Sequence, residues 1–272
     1  MTSYSIVAPI FLIAVLEALY ISYKEQSKFS IKTVFSALGM LFGGKLFYFF
    51  NAVATASIFF AFYEYRIITF NQEHWLTFIA SLIVVDFVMY WSHRISHRVP
   101  WMWASHVVHH TPQKYTLLMA YRMPWTELIS LNWTLYLPLA LIGFSPLTIG
   151  LSAGLNRGFQ FLLHTQHVPK LGFLELIFNT PSHHHLHHAN NPQYANKNLG
   201  GILIVWDKMF GTFVVEDPND VPVYGLKKQL DSENPFRIAF HGWFELFKRY
   251  QSAWSNTIVL KSSRLLWKST IR

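Results

Sequence analysis

Long apolar stretches constrain the fold of this chain more than any other feature of its sequence. A transmembrane helix needs about 20 mainly apolar residues to cross the hydrocarbon core of a bilayer. Five stretches are near this length or longer, at residues 5–23, 33–62, 75–92, 125–143 and 146–163. Only 13% of the 272 residues are charged, about half the share in a typical soluble domain. We therefore expect an all-α, multispan integral membrane protein with about five membrane segments.

Basic residues predict the orientation of these segments. They follow the first, third and fifth apolar stretches, at Lys24, Lys28, Lys32, Arg94, Arg98 and Lys170. The positive-inside rule then places these ends in the cytoplasm and the N-terminus outside. The net charge of +8 is accordingly assigned to contact with anionic lipid rather than with nucleic acid. The first stretch lacks a basic n-region and a cleavage site, so a retained helix is expected.

Three regions are expected along the chain. Membrane helices occupy residues 1–75, a histidine-rich catalytic region occupies 76–215, and a cytoplasmic or membrane-surface tail occupies 216–272. Glycines interrupt the long stretch 33–62, which either bends or includes an interfacial piece. The Phe144-Ser145-Pro146 break predicts a helical hairpin over residues 125–163.

Histidine is concentrated in one part of the chain. Twelve of the 14 histidines lie between residues 93 and 188, and the chain has no cysteine. The lack of cysteine excludes disulfide frameworks, iron–sulfur clusters and thiolate-bound metals. Any metal site in this region must therefore be built without thiolate ligands.

The spacing of these histidines predicts shared metal ligands. Three groups recur at helical spacing: His93 and His97; His106, His109 and His110; and His184, His187 and His188. Residues three and four apart share one face of an α-helix, so each group presents two or three imidazoles to one point. His164, which ends the fifth apolar stretch, is a ninth candidate. Nine ligands exceed one tetrahedral site, whereas two ions with four or five ligands each would use them.

The remaining histidines are assigned weaker roles. His183 and His167 are candidates for further ligands, and His185 is expected to face away. We place His74 and His241 at the membrane surface. Imidazole suits iron, zinc, copper and nickel, so the ligand type alone does not name the metal.

Several other polar residues are expected near the histidines. Asp86 lies seven residues before His93 and shares its helical face, so it is expected to orient the first group; a helix–helix hydrogen bond is the alternative. Asn156 and Gln160 share a face with His164 and could line the same cavity. Arg157 is expected to meet a lipid headgroup or a substrate oxygen. Asp207 and Thr212 are expected to have structural roles. Glu17 and Lys45 are charges within apolar stretches and have no assigned partner.

Absent motifs narrow the chemistry. The chain has no Glu-x-x-His pair, which excludes the soluble di-iron carboxylate bundle, and no His-Glu-x-x-His, which argues against a common metalloprotease arrangement. A redox metal pair beside lipid would suit oxidation of an unactivated C–H bond by O2.

Four motifs carry a family resemblance. They are "DFVMYWSHRISH", "HVVHH", "LLHT" and "NTPSHHHLHHANNPQYANKNLGGILIVWDKMFGTF", in that order. Over residues 76–215 the chain resembles the integral-membrane fatty acid hydroxylase/sterol desaturase superfamily, and it is most similar to the alkylglycerol monooxygenase-like branch. This resemblance implies a helical membrane fold, two iron ions, O2 as oxidant and a lipid substrate such as a fatty acid, sterol or ether lipid.

The resemblance also implies roles for residues and partners. The implied ligands are the nine histidines His93, His97, His106, His109, His110, His164, His184, His187 and His188. His109, His110 and Asp86 are the expected catalytic residues. Electrons would come from a separate donor, with tetrahydrobiopterin as one reductant that the resemblance allows.

Two alternatives to a hydroxylase stay open. One is a desaturase or methyl oxidase of the same superfamily, and the other is a non-catalytic metal-binding or transport protein. The bilayer would be a bacterial inner membrane or the endoplasmic reticulum, with the active site on its cytoplasmic side.

Overall fold

Helices are the main secondary structure in the part of the protein that the structure describes. A computed structural model describes the backbone of residues 4–269 and the side chains of residues 8–254. The α-helices are α1 (Tyr4–Lys24), α2 (Ile31–Glu64), α3 (Trp75–Ser96), α4 (Pro100–His106), α5 (Glu127–Ser130), α6 (Leu137–Ile142), α7 (Pro146–Leu162), α8 (Pro181–His187), α9 (Val205–Met209) and α10 (Pro235–Ser269). Short 3-10 helices cover Val107–His110, Leu117–Tyr121, Asn132–Tyr136 and Gly172–Leu176. No strand occurs within residues 4–269, where only two isolated β-bridges are present.

Two of these helices are long and apolar enough to cross a membrane, α2 and α3. In α2, none of the most apolar stretch is buried inside the protein, and large side chains such as Phe35, Phe42 and Phe49 are exposed. An apolar surface of this extent needs a covering of lipid or protein. Both helices have capped N-termini, because Ser30 Oγ accepts from Thr33 N in α2 and His74 Nδ1 accepts from Leu76 N in α3.

The glycines of α2 serve close packing. The helix runs unbroken from Ile31 to Glu64, so neither a break nor a separate interfacial piece is found. A Cβ on Gly39 would overlap the ring of Pro235, and one on Gly43 would overlap the indole of Trp125. These two glycines therefore let α10 and the loop before α5 approach the backbone of α2.

The apolar stretch 125–143 is not a single helix, so the predicted hairpin of two full helices is wrong in its first half. The chain forms α5, a 3-10 helix and α6 in succession. The break follows from Leu131, whose φ of 61° is left-handed and ends α5. The carbonyl of Ile142, at the end of α6, accepts a hydrogen bond from Ile68 N just beyond α2. The end of the broken segment therefore lies beside the C-terminal end of α2.

The core joins α3 to α7 and α10 to α4. Ser81 Oγ of α3 lies 2.9 Å from Ser152 Oγ of α7, and both are buried. An apolar cluster around Val85 and Ile149 surrounds this contact. The C-terminal helix packs on α4 through Ala104, Trp243 and Leu246. The predicted position of this last segment on a membrane surface stays a prediction.

Candidate metal centre

Short elements at one end of the bundle carry the clustered histidines. His93 lies in the last turn of α3, with His97 as its C-cap. His106 ends α4, and the 3-10 helix Val107–His110 carries the next two histidines. The second histidine group is therefore split between an α-helix and a 3-10 helix rather than lying on one α-helix.

The last histidine group lies on α8. Pro181 occupies the first turn, and His188 is the C-cap. Thr180 is at the N-cap position, but its side chain does not cap the helix. Its hydroxyl instead lies 3.2 Å from Glu175 Oε1. The Thr180 hydroxyl is therefore used by the Glu175 carboxylate and not by a backbone N–H of α8.

The structure brings all nine predicted histidines together in two sets. Within each set the candidate ligand atoms lie within 4.8 Å of one another. Set 1 contains His93, His97, His106, His110 and His187; set 2 contains His109, His164, His184 and His188. The two sets contain five and four imidazoles, the numbers expected for two ions.

Ring nitrogens in both sets have the separation of ligands around one ion. In set 1, His93 Nε2 lies 3.0 Å from His106 Nε2. In set 2, His164 Nε2 lies 3.0 Å from His109 Nε2 and 3.2 Å from His184 Nε2. For metal–nitrogen bonds of about 2.1 Å, neighbouring ligands lie about 3.0 Å apart at right angles and about 3.4 Å apart at the tetrahedral angle.

The tautomers of the histidine rings in set 2 also fit a bound metal ion. His109 Nδ1 donates to the Arg122 carbonyl at 3.4 Å, and His164 Nδ1 donates to the Gln160 carbonyl at 2.9 Å. Each ring then has an unprotonated Nε2, and these two nitrogens face each other at 3.0 Å. Two lone pairs at this distance repel each other unless a cation lies between them. Residues of set 2 thus fit a bound metal ion.

Set 1 shows the same features. His93 Nδ1 donates to the Leu199 carbonyl at 2.8 Å, and His187 Nδ1 donates to the Lys197 carbonyl at 3.0 Å. His97 Nε2 and His187 Nε2 are buried without a hydrogen-bond partner. Buried polar atoms normally have partners, so these nitrogens are suited to a metal.

Burial keeps the imidazoles neutral. It lowers the pKa of His109 and His188 well below the usual 6.5, and neighbouring histidines lower both further. Burial also lowers the pKa of His164 to about 4, against the opposing effect of its bonds to backbone carbonyls. A metal ligand must be the neutral imidazole, so this environment favours ligation over protonation.

Asp86 does not orient the histidines directly, contrary to our expectation. The carboxylate accepts from Ile202 N and Leu203 N at 2.7 and 3.1 Å, from Trp206 Nε1 at 2.8 Å and from Asn156 Nδ2 at 2.6 Å. Two backbone N–H groups and two side chains therefore fill its acceptor sites in place of an imidazole. Asp86 fixes the loop that follows Leu199, the residue whose carbonyl accepts from His93 Nδ1.

A second buried carboxylate, Asp207, holds the loop at its other end. It accepts from Leu199 N and Gly200 N, both at 2.7 Å, and from Thr212 Oγ1 at 2.6 Å. The Leu199 residue that Asp207 fixes supplies the carbonyl for His93. The structural role of Asp207 is thus to hold the backbone of Leu199, whose carbonyl accepts from His93.

The other histidines lie outside both sets. His183 Nε2 is 4.0 Å from Glu175 Oε2, and His185 Nε2 is 3.4 Å from Glu216 Oε2. His167 is exposed and packs against Tyr20, with 5.1 Å between ring centroids. His74 caps α3, and the partly buried His241 donates to the Ile238 carbonyl.

Two buried charges lie beside the site: Glu17, for which sequence reasoning assigned no partner, and Arg122, which sequence reasoning missed. Glu17 accepts from Leu117 N at 2.6 Å and Thr165 Oγ1 at 2.5 Å. Arg122 pairs with Glu233 at 2.5 Å, and its carbonyl faces His109. The signal for Glu17 was an acidic residue in an apolar helix, but its partners come from distant parts of the chain.

A cavity of about 710 Å³ opens onto the histidines. Its inner end is lined by members of both sets, including His93, His106, His109, His164 and His184. Its walls come mainly from α2 and α7 and are largely apolar, with Phe59, Phe60 and Leu147 among them. An alkyl chain could lie between the two helices with one carbon next to the imidazoles.

Comparison with known proteins identifies the family. Residues 78–212 match the family model described as fatty acid hydroxylase. The chain belongs to the fatty acid hydroxylase family. The matched residues include all nine histidines, Asp86 and Asp207.

Several curated proteins are similar to this fatty acid hydroxylase family member. Human alkylglycerol monooxygenase is 37% identical over 202 residues, which cover 74% of this chain and 44% of the relative. The Caenorhabditis elegans alkylglycerol monooxygenase is 32% identical over 244 residues, 87% of this chain and 46% of the relative. An ornithine lipid hydroxylase of Rhizobium tropici is 31% identical over 136 residues, 50% of this chain and 41% of the relative.

The chain spans less than half the length of the curated relatives that it matches. No solved structure matches it significantly. The match to the human protein extends over more of the chain than the hydroxylase family model does, and it supports the resemblance to the alkylglycerol monooxygenase-like branch.

Proposed function

We propose that this protein is a membrane oxidoreductase that hydroxylates a C–H bond of a lipid with O2. The overall reaction is R–H + O2 + 2 electrons + 2 protons giving R–OH + H2O. The observation that carries this proposal is the pair of histidine sets at the inner end of a largely apolar cavity. Relatives named as lipid and sterol hydroxylases support the same reaction class.

The nine histidines would hold two iron ions, five ligands to one and four to the other. When bound, the irons would supply the activation of O2 that an unactivated C–H bond requires. Backbone carbonyls at Leu199, Gln160 and Lys197 hold the rings in the tautomer that leaves Nε2 unprotonated. The apolar walls of the cavity would exclude water and position the lipid chain.

Within this proposal His109 and His110 are ligands of different ions, because they are neighbours in sequence but belong to different sets. The 3-10 helix Val107–His110 would therefore connect a ligand of one ion directly to a ligand of the other. Asp86 is a positioning residue, since none of its hydrogen-bond partners is a histidine.

We also propose five membrane segments with the histidines on the cytoplasmic side. The segments are α1, α2, α3, the broken stretch from α5 to α6, and α7. Hydrogen bonds between the ends of α6 and α2 support a fourth crossing despite its broken helices. Lys24, Arg98 and Lys170 lie at the histidine end of their segments, which favours the cytoplasm for that end.

Electrons would come from a separate donor. The chain has no cysteine for an iron–sulfur centre, and the metal-ligand groups found among the described side chains are the two histidine sets. Tetrahydrobiopterin is one candidate reductant.

The test combines metal content with product analysis. Purified protein is expected to contain about two irons per chain and to convert a lipid substrate to an alcohol that carries one atom of labelled O2. His109→Ala is expected to lower turnover by at least about a hundredfold, because set 2 loses one of four ligands. His167→Ala is the matched control, since this exposed histidine lies outside both sets.

Stoichiometric zinc without redox activity under any reductant would contradict the proposal. A product with a new double bond and no labelled oxygen would indicate a desaturase instead. Bound metal without lipid oxidation would favour the metal-binding alternative. Comparing the lipids of cells with and without the gene, under oxygen, would identify the substrate.

A further inference from the structure

An ion pair lies inside the apolar cavity, away from both histidine sets. Arg157 of α7 and Glu127 of α5 both line the cavity, and Arg157 Nη2 is 3.5 Å from Glu127 Oε2. The Arg157 side chain is 53% exposed and the Glu127 side chain 26%. Ionisable residues at membrane depth are costly and usually functional. This pair needs an explanation beyond helix packing.

The contact between the two groups is incomplete. A close charge-assisted bond between a guanidinium and a carboxylate is about 2.7–2.9 Å long, and this one is longer. It is also single, whereas a guanidinium has five N–H donors in a fixed fork. Donors and acceptors of the pair therefore remain available to a molecule in the cavity.

Arg157 lies on the helix that leads into His164 of set 2. Arg157 precedes His164 by seven residues near the end of α7, which corresponds to about 10 Å along the helix axis. Gln160 and Phe161 line the cavity between these two positions. A lipid with one carbon beside the histidines would pass these residues and present a group further along its chain to the pair.

We propose that Arg157 and Glu127 bind an uncharged hydroxyl group of the lipid substrate and so determine its specificity. A hydroxyl accepts one hydrogen bond and donates another, so it can accept from Arg157 Nη2 and donate to Glu127 Oε2. A carboxylate or phosphate has only acceptors and would be repelled by Glu127. An ammonium group has only donors and would be repelled by Arg157. This inference rests on the proposed function in treating the cavity as the substrate site.

The test measures binding without turnover. The full chain, loaded with iron in phosphatidylcholine nanodiscs at pH 8, is titrated with radiolabelled hexadecan-1-ol, and hexadecanoate or hexadecylamine serves as competitor. Empty nanodiscs correct for partition into lipid. The native protein is expected to bind the alcohol at least tenfold more tightly than either charged analogue, since mismatched buried charges are strongly disfavoured.

Charge-neutral variants should change this preference in opposite directions. Glu127→Gln is expected to strengthen the binding of hexadecanoate relative to that of the alcohol by about tenfold. Arg157→Gln is expected to strengthen the binding of hexadecylamine by about the same factor. Glu245→Gln and Arg237→Gln, at positions outside the cavity on α10, should leave the order of the three ligands unchanged. Both are matched in chemistry to the test substitutions.

A pair of glycines on α7 tests whether the ligand lies in this cavity. Gly158 lines it and Gly154 does not, and a Cβ at either would meet no atom within 4 Å. Gly158→Leu should reduce binding of the alcohol at least tenfold, and Gly154→Leu should not.

Three outcomes would overturn the inference. These are a native preference for a charged analogue, variants that leave the preference unchanged, and variants that lower only thermal stability. Because binding requires neither reductant nor turnover, the proposed function can fail separately: correct binding without oxidised product would contradict the function and leave the hydroxyl site standing.

Discussion

At the scale of single residues, the two ring nitrogens of several clustered histidines have separate tasks. Nδ1 of His93, His164 and His187 donates to a backbone carbonyl, which fixes the ring and leaves Nε2 directed at its neighbours. Carboxylates often perform this orienting task at metal sites. Here the carboxylates act one step further away, on the backbone that supplies the carbonyl.

Asp207 provides the clearest test of this indirect support. Asp207→Ala would leave Leu199 N, Gly200 N and Thr212 Oγ1 without their acceptor. We expect a loss of about 3 kcal/mol in the free energy of unfolding and lower iron content, because Leu199 no longer fixes His93. Metal analysis and denaturant unfolding would measure the two effects.

Asp231→Ala is the control for Asp207, because Asp231 is an exposed carboxylate on the loop before α10. It should change neither quantity. Full iron content together with unchanged stability in Asp207→Ala would show that the loop holds His93 without this carboxylate.

At the scale of helices, small residues decide where elements approach. Gly43 of α2 accommodates Trp125, whose Nε1 donates to the Met40 carbonyl at 3.1 Å. Phe47 stacks on the same indole, with 5.2 Å between ring centroids. The sequence marked Gly43 as an interruption of an apolar helix, but it did not reveal which side chain would fill the space.

Gly43→Ala is expected to destabilise the protein by about 1–3 kcal/mol, because its Cβ would force the buried Trp125 ring to move. Gly154→Ala in α7 is the matched control. It adds a methyl group to open space and should be neutral or stabilise the helix by up to about 1 kcal/mol. Thermal unfolding of both variants would measure the difference. Equal midpoints would show that Trp125 does not pack tightly on α2.

The broken stretch from α5 to α6 shows a limit of hydropathy. Its composition is apolar enough for one membrane helix, and the sequence predicts one. Contacts beside the break favour another geometry: Asn132 Oδ1 accepts from Ser92 Oγ of α3 at 2.6 Å, and the Ile129 carbonyl accepts from Trp101 Nε1 of α4 at 2.8 Å. Contacts with distant segments thus override local preference at this position.

At the scale of the whole molecule, the two histidine sets join distant parts of the chain. Set 1 spans residues 93 to 187 and set 2 spans 109 to 188. Burying nine neutral imidazoles whose lone pairs face one another is unfavourable without a cation. Bound metal should therefore stabilise the entire fold, since a ligand of the native state shifts folding by mass action.

Metal removal tests this coupling. Treatment with a chelator is expected to lower the unfolding midpoint, by a free energy of about 4 kcal/mol if free metal had been a thousandfold above its dissociation constant. Ferrous iron added back should restore the midpoint. His109→Ala, which lacks one ligand of set 2, should respond less to the chelator. An unchanged midpoint after complete metal removal would mean that the imidazoles pack stably by themselves.

The sequence by itself determined the helical class, the family and the nine histidines that converge. These features are local, because apolar length, motif order and i, i+3, i+4 spacing are properties of neighbouring residues. Only the tertiary structure decided the division of the histidines into sets of five and four. It also decided which backbone carbonyls orient them, the indirect role of Asp86 and the Arg157–Glu127 pair in the cavity. Those features depend on contacts between segments far apart in sequence, which local patterns do not encode.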